Sequence, residues 1–391
     1  MHILILASFY PSSVRPYTGI FFQEQAEALQ RAEHRVGVIV LPRIRETLSI
    51  WRSFLPPSLT REDKNFPVYR MHRGWFPRVF PRICAWLTRF YGLPVFEQYT
   101  KAHGMPDIIH AHNVFYAGYL ASEIKKKYHI PAVLTEHSSN HIRGRIFLPE
   151  QHRIAQQTFQ QVDSALAVSH ALKNVLSRYD SDFDVISNIV NTNFFTLSPM
   201  PQKTPFVIAA VGSLINIKNF PLLIHAFHQA FAGQSQVQLK IGGSGGDQNS
   251  LRQLINKLEM QSQIQLLGYL AREEVRNLFH ESHVIVSSSQ IETFGITLIE
   301  AMACGRPVIA TRSGGPEDFV SEKTGLLVEN NNIEALSQAL KTMLNTYDQY
   351  DPKEIRYYCV ERFSESAVVE QLLNRYQQII AVSSAYIGQL L

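Results

Sequence analysis

Apolar and polar positions alternate along this chain in two rhythms. Short runs rich in β-branched residues predict strands at His2 to Ala7, Arg35 to Val40, Asp107 to His110, Ala132 to Thr135, Ser164 to Val168 and Asp184 to Ile186. Between them, apolar residues recur every three to four positions, as over Phe21 to Ala32 and Ala117 to Tyr128, which predicts helices. The rhythm pauses at NTNFFTLSPMPQKTP, Asn191 to Pro205, whose prolines and missing periodicity predict a linker. It resumes with the runs FVIAAVG from Phe206, VQLKIGG, QIQLLG, SHVIVSSS, RPVIAT and GLLVEN. Helical stretches separate them at Pro221 to Phe231, Ser250 to Met260 and Ile333 to Asn345.

Strands alternating with helices predict an α/β fold of βαβ units on mostly parallel sheets, here two such domains in tandem. Boundaries are expected at 1–195 for an N-terminal Rossmann-like domain and 196–366 for a C-terminal one. An amphipathic helix at Ala367 to Ile380 opens a segment, 367–391, that could pack on either domain, a return to the N-terminal one included. Open parallel sheets bind ligands beyond the carboxyl ends of their strands, so two sheets facing each other predict a cleft between them.

With 391 residues, 45% hydrophobic and 18% charged, the chain can bury a core in each domain and is too apolar for disorder. Three scattered cysteines, Cys84, Cys304 and Cys359, suggest neither a disulfide framework nor a Cys-rich metal site. The N-terminal MHILILASFYP reads as a poor signal peptide, and no apolar run reaches the ~20 residues of a membrane span. The expected location is cytoplasmic, with room for peripheral attachment to the inner membrane face.

Charge is local. From Lys64 to Phe96 stand Lys64, Arg70, Arg73, Arg78, Arg82 and Arg89 with no acid; with these six removed from 37, 31 cations face 33 acids. Aromatic residues including Trp75, Phe76, Phe80 and Trp86 interleave with them. Such a mixture suits an anionic membrane surface, and a proline-broken loop is the plainer alternative. Single-stranded nucleic acid could use it too, but no nucleic-acid module accompanies it, so nucleic acid is not an expected partner.

The most specific chemistry lies in IETFGITLIEAMACG, Ile291 to Gly305. Glu292 and Glu300 have seven residues between them, beginning with Thr293, Phe294 and Gly295, where a loop enters a helix. Free amides and the helix dipole suit a diphosphate there, while Glu300 can offer its carboxylate to vicinal hydroxyls. With EAMACGRPVIAT after it, this segment resembles the E-x7-E signature of the retaining family-4 glycosyltransferases (glycosyl transferases group 1). YTGIFFQEQAEAL, DIIHAHNVFYAG, LTEHSS, AVSHALKNVL, ISNIVNTNFF, VGSLINIKNF, KIGGSGG and SGGPEDFV agree in the same order, so the resemblance spans nearly the whole chain.

The resemblance implies the GT-B fold, two Rossmann-like domains facing across a cleft, and a nucleotide-diphosphate sugar as donor. No cofactor and no metal are implied. Glu300 would bind the donor ribose, and Glu292 with the backbone of Phe294, Gly295 and Ile296 would hold the sugar and phosphates. Lys218 matches a phosphate-binding lysine, Gly19 a glycine that lets backbone approach the donor phosphates, and His137 a histidine at the donor sugar. His112 matches a position near the acceptor. Where relatives often carry an arginine this chain has Ser213, so one expected phosphate cation is missing.

Other residues read more plainly. His110 is expected to be a buried, hydrogen-bonded residue, and the three histidines lack the spacing of a zinc site. The run Gly242 to Gly246 suits either a nucleotide-facing turn or a tight structural one. Asp180, Asp182 and Asp184 read as a solvated loop. Asn188 only partly matches a family hinge, and Arg143 and Arg145 follow LTEHSS where they could meet an anionic acceptor.

The function expected is retaining transfer of a sugar to a hydroxyl, on a lipid-linked or cell-surface glycan precursor. By the front-face chemistry the resemblance implies, a leaving phosphate oxygen takes the acceptor proton and domain closure excludes water. The alternatives are a nucleotide-sugar epimerase of the same fold and a non-catalytic nucleotide-sugar-binding protein.

Overall fold

A computed structural model describes residues 1–12, 18–41, 58–63, 65–72, 80–145 and 148–390. The chain forms two compact units, Met1–Ile189 with Val368–Leu391 and Val190–Ala367.

The first unit is built on eight strands: β1 (His2–Ala7), β2 (Arg35–Val40), β3 (Ser58–Asp63), β4 (Pro67–His72), β5 (Ile108–His112), β6 (Ala132–Glu136), β7 (Ser164–Ala167) and β8 (Phe183–Val185). Their order is β3-β4-β2-β1-β5-β6-β7-β8, parallel except for the β3–β4 pair. Strands β1, β5, β6 and β7 are buried along their whole length, as a parallel sheet covered on both faces requires. The covering helices are α1 (Ile20–Arg31), α2 (Pro81–His103), α3 (Tyr119–Tyr128), α4 (Pro149–Gln161) and α5 (His170–Leu176).

Ile3, Ile5, Val38, Phe22 and Leu29 share one core with Val368, Val369, Leu372, Tyr376 and Ile379 near the chain's end. Each such side chain contributes about 1.5–3 kcal/mol by leaving water. The Tyr376 hydroxyl also lies 2.5 Å from His110 Nδ1, a buried polar pair that fixes where this last helix docks.

The second unit has β9 (Phe206–Val211), β10 (Val237–Gly242), β11 (Ile264–Gly268), β12 (Val284–Ser287), β13 (Val308–Thr311) and β14 (Gly325–Val328) in the all-parallel order β11-β10-β9-β12-β13-β14. Helices α6 (Phe220–Phe231), α7 (Gln248–Lys257), α8 (Arg272–Glu281), α9 (Ile296–Ala303), α10 (Ile333–Thr346) and α11 (Pro352–Phe363) complete it, and α12 (Glu365–Leu390) follows. Its core joins Ile208, Leu239 and Val286 of the sheet to Leu223, Phe227 and Leu340. In both units the strand order reverses direction beside the first strand, the doubly wound arrangement expected of the GT-B fold.

The cationic, aromatic stretch differs from expectation. Its C-terminal part is the helix α2, with Pro81 in the first turn, where no amide partner is lost, and Pro94 inside. The charges of the described part are already engaged. Arg70 is buried, donating to Pro11 O at 2.6 Å and to Glu62 at 3.3 Å, while Arg82 meets Glu150 at 2.6 Å and Arg89 meets Glu123 at 3.0 Å. Acids distant in sequence thus neutralise part of what read as an acid-free patch. Lys64, Arg73, Arg78, Trp75 and Phe76 lie outside the described residues. On α2, Ile83, Trp86 and Phe90, with Phe80 just before it, remain about half exposed, and Trp86 stacks on Phe90. Among the described residues no helix is long and apolar enough to cross a membrane.

Candidate functional site

In the second unit the site residues gather at the carboxyl ends of β9, β12 and β13. Lys218, in the single turn after β9, directs its Nζ onto Glu292 Oε1, and Ser289 Oγ donates to the same oxygen at 2.8 Å. Ser288 Oγ holds the Lys218 carbonyl at 3.0 Å. The Glu292 amide donates to Ser313 O at 2.9 Å and its carbonyl accepts from the Gly315 amide at 2.9 Å. Three loops are thereby tied around one ammonium–carboxylate pair, which remains partly exposed.

Gly295 precedes α9 at φ 100°, ψ 49°, a left-handed conformation that a side chain would strain, so the helix begins abruptly after it. In that first turn the Leu298 amide donates back to Gly295 O at 3.0 Å, while the amides of Ile296 and Thr297 have no helical carbonyl behind them and present positive dipole to an anion. Phe294 contributes only backbone here: its ring is buried against Phe319 and Phe363. Ile296 opens the helix, and Glu300 follows one turn later. Glu300 is buried, with Arg272 Nη1 3.4 Å from its Oε1. Arg272 itself lies over the rings of Phe194 and Phe195.

Ser213 is exposed and short, and it adds no cation to this anion-facing end. The glycine run has a packing role. A Cβ at Gly243 would stand 1.8 Å from Gly212 O, and one at Gly245 2.2 Å from Leu214 O. These two positions must lack side chains for the turns after β9 and β10 to touch.

In the first unit, His112 at the end of β5 and His137 just after β6 meet side by side, Nδ1 to Nε2 at 3.0 Å. His112 stacks on Phe22 at 4.4 Å, and Phe21 and Phe22 close over His137 at 5.2 and 4.9 Å. Those rings belong to the first turn of α1, which Gly19 immediately precedes. Gly19 has φ 78°, and a Cβ there would lie 2.8 Å from Phe9 O, so close backbone packing already demands glycine.

Burial pushes His137 down to about 4 and His112 well below its usual value, with Glu136 and the nearby Asn188 side chain pulling His137 back upward. Both rings are therefore neutral at pH 7. Their outer nitrogens, His112 Nε2 and His137 Nδ1, are buried, and no group meets either at full hydrogen-bond geometry. Whichever ring donates in the shared bond, one donor and one acceptor are left over. The side chain of Asn113, at φ 72°, is likewise buried with both amide atoms unpartnered. A hydroxyl-rich ligand is complementary to that set.

Glu136, invisible as a functional residue in the sequence, organises this end of the sheet. It accepts from Val114 N at 2.8 Å, His137 N at 3.0 Å and Ser138 N at 2.7 Å, and His141 Nε2 lies 3.5 Å away. Burial alone would raise its carboxyl, but His141 and the amides hold it below its ordinary value.

His110 stands apart from this chemistry. Its two nitrogens are shared among Tyr376, Gln25 and Thr135, and burial lowers it to about 3. Arg143 sits in the turn after β6, tied by Arg143 N to Ser139 O at 2.9 Å. Asp184 pairs with Arg375 and Asp180 accepts from Gln156 at 3.1 Å. Among the described residues no group of three or more His, Cys, Asp or Glu is placed to hold a metal ion. Four residues of these sites, Asn113, Glu136, Ser289 and Arg272, were not singled out from the sequence. The first two lie inside the HAHN and TEHSS runs; Ser289 and Arg272 carry no local signal.

Comparisons with known proteins bear on both halves of the chain. The family model described as Glycosyltransferase Family 4 matches residues 18–194, and that described as Glycosyl transferases group 1 matches residues 198–359. An uncharacterized glycosyltransferase of Methanocaldococcus jannaschii is 30% identical over 247 residues, 61% of this chain and 66% of that protein. The GDP-mannose-dependent monoacylated alpha-(1-6)-phosphatidylinositol monomannoside mannosyltransferase of Corynebacterium glutamicum is 27% identical over 275 residues, 63% of this chain and 71% of that protein. Several other curated relatives are matched over only about half of their own length. Among solved structures, sucrose-phosphate synthase from Thermosynechococcus elongatus superposes with a TM-score of 0.77 at 19% identity, covering 98% of this chain and all of that one.

Proposed function

The chain belongs to the glycosyl transferases group 1 family, and on that footing we propose that it moves a sugar, with retention of anomeric configuration, from a nucleotide-diphosphate sugar to a hydroxyl of a lipid-linked or cell-surface glycan precursor. The observation that carries the proposal is the Lys218–Glu292 pair beside the open first turn of α9, with Glu300 one turn further on.

Lys218 and the first-turn amides of α9 would meet the diphosphate and oppose the charge that grows as the sugar departs. In that step Lys218 exchanges Glu292 for phosphate oxygens, leaving the carboxylate, still held by Ser289, to take a sugar hydroxyl. Glu300, fixed by Arg272, would receive the ribose hydroxyls. His137, neutral at pH 7, would hydrogen-bond the donor sugar, with His112 beside it toward the acceptor, where Arg143 adds a cation. With the diphosphate met in this way, the transfer needs no metal ion.

A lipid-linked acceptor is favoured by the exposed apolar residues of α2, which suit contact with a membrane surface on the cytoplasmic side. The acceptor named for the Corynebacterium glutamicum relative, a phosphatidylinositol monomannoside, points the same way.

The experiment is a transfer assay with the purified chain, radiolabelled UDP-, GDP- and ADP-sugars and a bacterial lipid extract, with and without EDTA. The expected result is label in the organic phase from one donor, unaffected by EDTA and α-linked when the product of an α-configured donor is examined by NMR. Isomerised sugar nucleotide formed without any acceptor would instead indicate an epimerase.

A further inference from the structure

A cavity of about 90 Å³ lies inside the first unit, between α2, the Val114–Gly118 turn and the start of α4. Pro81, Cys84 and Ala85 of α2 form one wall, Ile154 of α4 another, and the rings of Phe115, Tyr116 and Tyr119 a third. The remaining lining is polar and includes Asn140 and Arg145. Arg145 is exposed, so this end of the cavity meets solvent.

Three observations set the cavity apart from a packing defect. First, Tyr116 at its wall has φ 66°, ψ −75°, a conformation rare and strained for a side-chain-bearing residue, which the fold maintains at the cavity. Second, Arg143 and Arg145 emerge from one turn closed by Arg143 N to Ser139 O and Arg145 N to Asn140 O, both 2.9 Å, and neither pairs with a carboxylate among the described residues. Third, the acid at the start of α4, Glu150, is already held by Arg82. Of the two, Arg145 lines the cavity; burial and the charge of Arg145 both lower the neighbouring Arg143, so the turn carries two nearby cations. Such a pair attracts an anion, and a phosphate matches its planar donors.

We infer that this cavity binds the head-proximal part of an amphiphile, with the first carbons of an apolar chain between α2 and Tyr116 and a terminal phosphate on Arg145 and Arg143. The inference rests on the glycosyl-transfer reading for its meaning, since it places the acceptor's lipid anchor. The volume sets a limit: a cavity of about 150 Å³ accepts benzene, so only a short stretch of chain enters here. The opposite face of α2 carries Ile83, Trp86 and Phe90, which lets the same helix touch a lipid surface while walling the cavity.

The test is titration of the full chain, below any micelle concentration, with geranyl diphosphate, decyl phosphate, geraniol and inorganic pyrophosphate, followed by calorimetry. At least one phosphorylated amphiphile is expected to bind ten times or more tighter than pyrophosphate or geraniol. Which one binds better distinguishes an isoprenoid from a straight-chain source. Arg145→Ala, at an exposed position, and Ala85→Trp, which fills the cavity, are each expected to weaken it at least tenfold.

Equal affinity for pyrophosphate, binding unchanged in both variants, or no binding of either amphiphile would overturn the inference. Nucleotide-sugar binding measured on the same samples separates the two ideas. Its absence, with amphiphile binding intact, counts against glycosyl transfer and leaves the cavity's assignment standing.

Discussion

Lowering the pH from 7 to 4 is expected to remove most of the first unit's stability, because three buried histidines must accept protons to unfold but resist them when folded. Burial holds His110 at about 3 and His137 at about 4, and His112 well below the ordinary 6.5. For such groups the unfolded chain binds more protons below pH 6.5, so stability is fully present above that value and falls as the pH falls toward the folded values. Each pH unit costs about 1.4 kcal/mol per histidine, or roughly 3 kcal/mol apiece by pH 4 for His110 and His137, and His112 acts in the same direction. Domains hold only about 5–15 kcal/mol in total. Glu136, depressed by His141 and backbone amides, acts in the same direction at the acid end.

Urea unfolding followed by circular dichroism at half-unit pH steps would read this directly. A slope approaching three protons between pH 6 and 4.5 is expected, reduced by about one in His137→Gln. A flat profile down to pH 5 would mean that the histidines are not held neutral.

The second large effect concerns Lys218. Lys218→Ala is expected to lower kcat about 100-fold, the scale seen when a preorganised group facing developing charge is removed. Folding should be nearly untouched: the pair is partly exposed, and Glu292 keeps its bond from Ser289, so about 1 kcal/mol or less is at stake. Steady-state kinetics with thermal melting separates the two, and a kcat within threefold of the parent would remove Lys218 from the chemistry.

Much of this was legible in the sequence for a physical reason. Strands of a parallel sheet are buried on both faces and read as continuous apolar runs, so β1, β2 and β9 begin where the pattern places them. The β3–β4 hairpin was not legible, because SLTRED lies at the sheet's edge and lacks such a run. Nor was α2, whose apolar residues are divided between a buried face and an exposed one, which blurs helical periodicity. The direction of α12 was open because its apolar stripe suits any core; burial of Tyr376 against His110 decides it.

At the site, sequence spacing placed Glu292, Gly295 and Glu300 on one loop and helix. It could not reveal that Lys218 and Glu292, 74 residues apart, form a pair, or that Arg272 reaches Glu300. The partners of Arg82 and Arg89 were hidden in the same way. Contacts that join separate βαβ units leave no periodic trace, which is also why Glu136 looked like an ordinary strand-end acid.

The central claim is that the second unit holds a nucleotide-diphosphate sugar through Lys218, α9 and Glu300. Saturation-transfer NMR of the intact chain with UDP-, GDP- and ADP-sugars, repeated on Glu300→Gln, tests it most directly. The predicted result is strong transfer to the ribose and base protons of one donor, falling at least tenfold in the variant while the thermal midpoint stays within a few degrees. No transfer to any donor, or equal transfer in the variant, would contradict it.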